Sequence, residues 1–264
     1  MCLMLEALHL LAADAPVTVL AEGPALKLRQ HGVADRFAPL PRLARVVCHG
    51  ANVQWRTEAL LACLSAGVPV LFLHHSGGIS GVLLPTVGPS SRRDLAALLD
   101  SAAACPGFRS RLEDFCRAEQ RRAVLASPLI APGSPRTNPG IDLRLPRLVG
   151  AWIAKAKTPD LARALYRAVL GLAACALAEG LARTGVGPQF LARRTGGFAL
   201  PENLAGVLAC GLCPIACRAS DHLPVDASPE AIRRAAIELF ENARLTPARD
   251  QLLARLAYFL AAEP

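Results

Sequence analysis

The feature that most constrains the fold is the apolar stretch TPDLARALYRAVLGLAACALAEGLARTG at residues 158–185. Thr158 or Asp160 can cap its start and Gly185 can end it, so the stretch predicts one long helix. Its middle is apolar on every side, and a helix of that kind lies at the centre of an all-α domain. Its most hydrophobic part, residues 168–178, is too short to span a bilayer. We therefore expect a helical domain built around this segment.

Amphipathic segments accompany this central helix in the second part of the chain. SSRRDLAALLDSAAAC and FRSRLEDFCRAEQRRAVLAS show helical periodicity with charge on one face. SPEAIRRAAIELFENARL starts at a cap, Ser228, with Pro229 in its first turn, and TPARDQLLARLAYFLA follows as a final helix. Residues 128–147 hold many prolines and glycines and are interpreted as a loop.

The first part of the chain has the pattern of short strands. PVTVLAE (16–22), RVVCHG (45–50) and VPVLFL (68–73) are apolar runs bounded by glycine, proline or charge. RTEALLACLSAG (56–67) predicts a short helix that Thr57 can cap and Gly67 can end.

These patterns together predict an α+β protein. A small β-rich N-terminal domain is expected at residues 1–88, a linker helix region at 89–104, and a larger all-α C-terminal domain at 105–264.

The charge balance favours a polyanion as partner. The net charge is +8, and arginine, which outnumbers lysine, suits bidentate phosphate contacts. A biased genome composition is the alternative explanation. Nine cysteines, most of them in apolar runs, are typical of buried free thiols in a reducing cytosol. The start MCLMLEALHLLAADA lacks a basic region and carries Glu6, so we expect no signal peptide, a cytoplasmic location and no membrane partner.

One cysteine cluster has two interpretations. Cys210, Cys213 and Cys217, with His222, could hold zinc or an Fe–S cluster, but the same spacing describes the core face of a helix. His74 and His75 precede glycines and are interpreted as part of a turn. Neither a Walker loop nor a dinucleotide-binding fingerprint occurs in the sequence, so those nucleotide-binding classes are not indicated.

The order of these motifs resembles a known family. ARVVCHGANVQWRTEALLACLSAGVPVLFLHHSGGISGVLLP (44–85) has a strand, a turn with glycine, a polar strand before a short helix, a Gly-Val-Pro-Val segment and a Gly-rich hairpin. ARALYRAVLGLAACALAEGLARTGVGP ends in a Gly-Leu-Asp-Pro-like turn, and ALPENLAG is similar to a Leu-rich Asp-Leu-Met-Glu helix. In this order they resemble the CRISPR-associated spacer integrase, the universal adaptation nuclease.

The resemblance implies an active site of one Glu, one His and one Asp that bind Mn²⁺ or Mg²⁺ for phosphodiester chemistry. This chain departs from that pattern at each ligand. The His falls at Arg194, or at Arg193 if the turn shifts by one, and the Asp falls at Asn203. The Glu would belong to LVGAWIAKAK (148–157), which has no acid and has Trp152 at the corresponding place. We therefore expect no catalytic residue, no metal and no cofactor in this chain.

The function predicted from these residues is that of a DNA-binding, catalytically inactive integrase-like subunit of a CRISPR spacer-acquisition complex, in antiviral defence. An arginine at the place of the cation can still hold a phosphate. The expected DNA-binding residues are Arg193, Arg194, Lys155, Lys157, Arg163 and Arg167. The resemblance also implies a homodimer formed through the β-rich domain, or a heteromer with an intact relative, and a small ferredoxin-like adaptation partner.

Two alternatives stay open at this point. The first is an active metal-dependent DNA endonuclease or integrase whose ligands are displaced. Glu202 is a neighbouring carboxylate, although an acid favoured by the dipole at a helix start is the simpler interpretation. The second is a metal-binding regulatory protein built around Cys210, Cys213 and Cys217.

Overall fold

The computed structural model describes residues 6–12, 15–74, 77–85, 95–126, 144–191 and 199–262. Residue contacts divide the chain into two compact units. The sheet unit consists of Met1–Ala96 and Ala178–Ala199, and the helical unit consists of Ala97–Leu177 and Leu200–Pro264. The domain boundaries at 88/89 and 104/105 stay a prediction from the sequence. The contacts also assign residues 178–199 to the same unit as the N-terminal strands.

The sheet unit contains two four-stranded sheets. The first has the order β1-β5-β7-β8 and is parallel except for its last strand, and the second has the order β4-β3-β2-β6. Their bounds are β1 Glu6–Leu11, β2 Val17–Glu22, β3 Ala25–Gln30, β4 Arg36–Pro39, β5 Leu43–His49, β6 Val53–Trp55, β7 Val70–Leu73 and β8 Ile79–Leu83. A short 3-10 helix, Leu40–Arg42, precedes β5. Helix α1, Thr57–Ser65, follows β6 and is part of the long connection that the parallel neighbours β5 and β7 require.

One hydrophobic cluster joins the two sheets and α1. It contains, among others, Leu10, Val19, Leu26, Val46, Cys48, Cys63 and Val70. Every residue of β5 is buried, as expected for a central strand covered on both faces. The predicted end of α1 is confirmed, because Gly67 follows the helix with φ of +73°. The predicted cap is wrong: Arg56 occupies the cap position without a side-chain bond, and Thr57 is already helical.

The described part of the helical unit is built from helices. The helices that follow α1 in the chain are α2 Leu95–Ala103, α3 Phe108–Ala126, α4 Leu145–Ala154, α5 Pro159–Arg183, α6 Pro188–Leu191, α7 Leu200–Ala209, α8 Cys213–Ser220, α9 Pro229–Asn242 and α10 Thr246–Ala261. A 3-10 helix, Cys210–Leu212, joins α7 to α8. Helix α6 and the end of α5 belong to the sheet unit. The α+β prediction is therefore confirmed.

Helix α5 confirms the prediction made from its apolar pattern. All residues from Gly171 to Ala182 are buried. The helix ends as expected, because Gly185 has φ of +81° and the Val186 N–H donates to the Leu181 carbonyl at 3.2 Å. By length and composition, Pro159–Arg183 and Leu200–Ser220 could each cross a membrane. However, 67% of each apolar window is buried inside the structure, as in core helices.

One contact caps a helix of the helical unit, and another joins two of its helices. The Ala231 N–H donates to the Ser228 hydroxyl at 3.2 Å, which confirms the predicted cap of α9. The buried Glu119 carboxylate of α3 accepts hydrogen bonds from Arg122 and from Arg255 of α10, the latter at 2.8–2.9 Å. Most of the predicted loop 128–147 lies outside the described residues. Its last three residues begin α4, so the prediction is wrong there.

Candidate functional site

Helix α4 carries the position at which the sequence comparison expected a glutamate. Leu145 and Ile153 are buried and fix one face of this helix, and Trp152 is partly buried in its last turn. From Arg144 to Lys157 the sequence contains no acid. The indole offers an N–H donor and no acceptor lone pair, so Trp152 cannot be a metal ligand.

Helix α7 carries the position expected for the aspartate. Leu204 and Ala205 are buried, whereas Glu202 and Asn203 are partly buried in the first turn. The Asn203 amide keeps an oxygen but has no charge, and Glu202 stands where the helix dipole favours an acid. The third expected position, Arg194, lies outside the described residues, as does Arg193.

The donors at these positions do not fit Mn²⁺ or Mg²⁺. Hard divalent cations are bound by carboxylates, carbonyls and water. Of the matched positions only Asn203 offers such an oxygen, and it carries no charge; the other two supply an indole and an arginine. Among residues 6–12, 15–74, 77–85, 95–126, 144–191 and 199–262, no group of three or more His, Cys, Asp or Glu could hold a metal ion.

Two buried acids elsewhere have a structural explanation. In the sheet unit, Glu179 lies 2.6 Å from Arg45 and 3.3 Å from Arg183. In the helical unit, Glu119 accepts from two arginines. A carboxylate neutralised by guanidinium groups in a buried position is committed to that ion pair.

Four predicted DNA-binding residues lie close together in sequence and on exposed positions. Lys155 and Lys157 are exposed in the turn between α4 and α5, and Arg163 and Arg167 are exposed one helical turn apart on α5. We call these four residues the basic turn. Within it, Arg163 also forms an ion pair with the exposed Asp160 at 2.5 Å.

The end of helix α8 lies against the start of α5. The Thr158 hydroxyl donates to the Ser220 carbonyl at 3.3 Å. Sequence analysis did not predict this contact, because the two residues are 62 positions apart in the chain.

The cysteine cluster lies in the core of the helical unit. Cys210, Cys213 and Cys217 are all buried free thiols. Burial raises the pKa of Cys213 to about 12 and also raises the pKa of Cys217 and of the buried Tyr166. Thiols that stay protonated behave as small hydrophobic side chains, so the core interpretation describes this cluster.

Sequence analysis missed a histidine pair in the sheet unit. His9 Nδ1 and His49 Nε2 are 3.1 Å apart. His49 ends the predicted strand 45–50, but β1 was not predicted, so the two residues had no common element. The available signal was a histidine near the carboxyl end of two short apolar runs, EALHLL and RVVCH.

Residues 13–103 match the family model for CRISPR associated protein Cas1. Over these residues the chain is similar to the Cas1 family. Among solved structures, a Cas1 protein from Thermotoga maritima is 12% identical with a TM-score of 0.69, and the alignment covers 98% of each chain. No curated protein sequence matches the chain.

Two further Cas1-containing structures share the fold. One is a TtCas1–DNA complex, which is 15% identical with a TM-score of 0.57; the alignment covers 97% of this chain and 90% of the other. The other is a Cas6-RT-Cas1–Cas2 complex, which is 12% identical with a TM-score of 0.61; the alignment covers 96% of this chain and 35% of the other. At these identities the comparisons show that the Cas1 fold extends over both units.

Proposed function

We propose that this chain is a member of the Cas1 family and acts as a DNA-binding, catalytically inactive integrase-like subunit of a CRISPR spacer-acquisition complex. The observation that carries the proposal is the side-chain chemistry at the expected ligand positions: Trp152 on an acid-free α4, Asn203 on α7, and Arg194 in the sequence between them. A site without carboxylates cannot concentrate the divalent cations that stabilise the attacking and leaving oxygens of phosphodiester chemistry.

DNA is the ligand that the remaining charges favour. The basic turn presents four exposed cations along a short stretch of the helical unit. Backbone phosphates are the natural partners of such a surface, and their contacts make binding strongly salt-dependent. The DNA complex formed by a relative of the same fold supports this assignment.

Protein partners follow from the same proposal. The chain assembles as a homodimer through residues 1–88, or as a heteromer with an intact relative, and it contacts a small ferredoxin-like adaptation protein. The Cas1–Cas2 assembly of a relative with this fold supports a complex of several proteins.

A binding measurement without metal tests the DNA-binding part of the proposal. The full chain is titrated with branched DNA in EDTA, and its affinity is followed by anisotropy at several salt concentrations. We expect binding that persists in EDTA, because phosphate contacts by Lys and Arg need no cation. A complete loss of binding in EDTA would contradict the proposal.

A pair of matched variants locates the surface. K155A/K157A should weaken binding about tenfold and reduce the salt slope by about two, because each lost phosphate contact changes the slope by roughly 0.9. The control R109A/R117A also removes two exposed charges, but both form ion pairs along α3. Equal effects of the two double variants would mean that the basic turn is an ordinary charged surface.

A further inference from the structure

The first sheet of the sheet unit places two histidines on one face. His9 belongs to β1 and His49 ends β5, and the two strands are parallel neighbours. In the register of these strands His9 lies beside Val47, and Leu11 lies beside His49. The two rings are therefore offset by two residues along the strands and point to the same side. Their centroids are 5.4 Å apart, with planes tilted by 40°.

The separation of the ring nitrogens matches that of two ligands on one metal ion. Imidazole nitrogens bind zinc at ~2.0–2.1 Å, so two of them lie roughly 3.3 Å apart at a tetrahedral angle and about 2.9 Å apart at a right angle. His9 Nδ1 and His49 Nε2 are 3.1 Å apart, between these two values. Either nitrogen of a neutral imidazole can bind a metal.

We propose that His9 and His49 form a two-histidine site for a divalent transition-metal ion such as Ni²⁺ or Zn²⁺. Imidazole suits these ions, whereas Mg²⁺ and Mn²⁺ prefer oxygen ligands. The site uses β1 and β5 and shares no residue with the positions of the Glu, His and Asp expected on the helices.

The surroundings of the pair are compatible with an added cation. His49 is buried and His9 is partly exposed, so an ion can reach the pair from the side of His9. Arg45 projects from the same face of β5 and is paired with Glu179 at 2.6 Å. Glu179 is shared with the more exposed Arg183 at 3.3 Å, so it reduces the repulsion that Arg45 would exert on an added ion.

Two donors leave coordination positions for water. Cys48, between Val47 and His49, belongs to the hydrophobic core on the opposite face of β5, and burial raises its pKa to about 12. Within the described ranges there is no third histidine, cysteine or acid grouped with the pair. The proposed site is therefore an open one, with solvent completing the coordination shell.

Calorimetric titration of the purified full chain with Ni²⁺ tests the site. A Cys105→Ser background removes the exposed thiol among the described residues. We expect one Ni²⁺ per chain, an affinity at least tenfold lower in His9→Gln, and a metal-dependent rise in unfolding temperature that His9→Gln abolishes. Because His9 is partly exposed, this variant keeps the buried His49 in place and allows folding.

Matched controls and a spectroscopic signal make the outcome unambiguous. His31→Gln and His222→Gln remove exposed histidines elsewhere and should leave Ni²⁺ affinity unchanged. The electron paramagnetic resonance spectrum of bound Cu²⁺ should show coupling to two imidazole nitrogens, and to one in His9→Gln. Unchanged Ni²⁺ affinity in His9→Gln, or a Cu²⁺ spectrum without that change, would mean that the histidines form only a hydrogen bond and would overturn the proposal.

Discussion

Arg45 donates from Nη1 to the Glu179 carboxylate at 2.6 Å, and both side chains are buried in the sheet unit. Arg45 lies on β5, whereas Glu179 lies 134 residues later on α5. The sheet unit is therefore completed by a segment that follows the first helices of the helical unit in sequence. An N-terminal fragment that ends at residue 88 would leave this arginine buried without its acid.

Removing one partner of this ion pair should destabilise the protein strongly. We expect Glu179→Gln to lower the free energy of unfolding by about 3–5 kcal/mol, because Arg45 would remain as an uncompensated buried charge. The double variant R45M/E179L should recover much of that loss, since neither charge is then buried alone. Urea unfolding measures the free energy of unfolding of the wild-type chain and of both variants. A loss below about 1 kcal/mol in Glu179→Gln would show that the pair is solvated.

The buried Cys213 thiol should make stability fall at alkaline pH. Its pKa is about 12 in the folded chain, because burial disfavours the thiolate, against roughly 8.5 when unfolded. Between these values the unfolded state binds fewer protons than the native state, so stability decreases as pH rises. Below about pH 8.5 the thiol is protonated in both states, so Cys213 makes its full contribution to the free energy of unfolding. The stability difference between wild type and Cys213→Ala should shrink by up to roughly 1.4 kcal/mol per pH unit above that pH.

Chemical denaturation at about pH 8, 9 and 10 measures this difference in the free energy of unfolding, because these values lie on both sides of the pKa of an unfolded thiol. The control is Cys105→Ser, which changes an exposed thiol. If the difference for Cys213→Ala is constant across this range, the thiol is not held protonated by the fold.

Arg193 and Arg194 are predicted from the sequence to contact a phosphate where the family holds its metal. They precede the start of α7, where free N–H groups also favour an anion. Changing both to Ala should weaken DNA binding at least tenfold, which corresponds to about 1.4 kcal/mol, and should lower the salt slope by about one to two units. Unchanged affinity and slope in a salt titration would identify the pair as an ordinary solvated surface.

The proposed homodimer should depend on an exposed strand edge. Strand β4 is an edge of the second sheet, and Phe37 on it is 55% exposed, as is Val33 just before it. An apolar edge strand is a ready surface for self-association. Phe37→Glu should shift the full chain from dimer to monomer in light scattering, whereas Leu61→Glu on α1 should not. A dimer unaffected by Phe37→Glu would exclude this edge.

The helices that sequence analysis placed correctly are those with strong local signals. The apolar run of α5 and the Ser228-Pro229 start of α9 depend on residues close in sequence. Strands β1, β3 and β4 were missed for other reasons than length, since β1 and β3 are as long as the predicted β2. Charged residues interrupt the apolar pattern of β3 and β4, and β1 pairs with β5, which lies far along the chain. The segment 128–147 appeared to be a loop because of its prolines, yet Pro146 lies in the first turn of α4, where proline is favoured.

The candidate site was predictable in part. The acid-free stretch around Trp152 and the neutral amide of Asn203 could be read directly from the sequence. The position of His49 beside His9 could not, because it depends on pairing between strands that are distant in sequence. The ion pair between Glu179 and Arg45 could not be predicted from the sequence either.

The most direct test is a DNA-joining assay with the purified chain, branched DNA and Mn²⁺ or Mg²⁺, with an intact relative as positive control. We expect no cleaved or joined product from this chain alone, and product when the intact relative is added. Metal-dependent product formed by the wild-type chain alone would contradict the proposed inactivity. Loss of that product in Glu202→Gln would then make Glu202 a ligand, and its persistence in the repurified variant would place the ligands elsewhere in the chain.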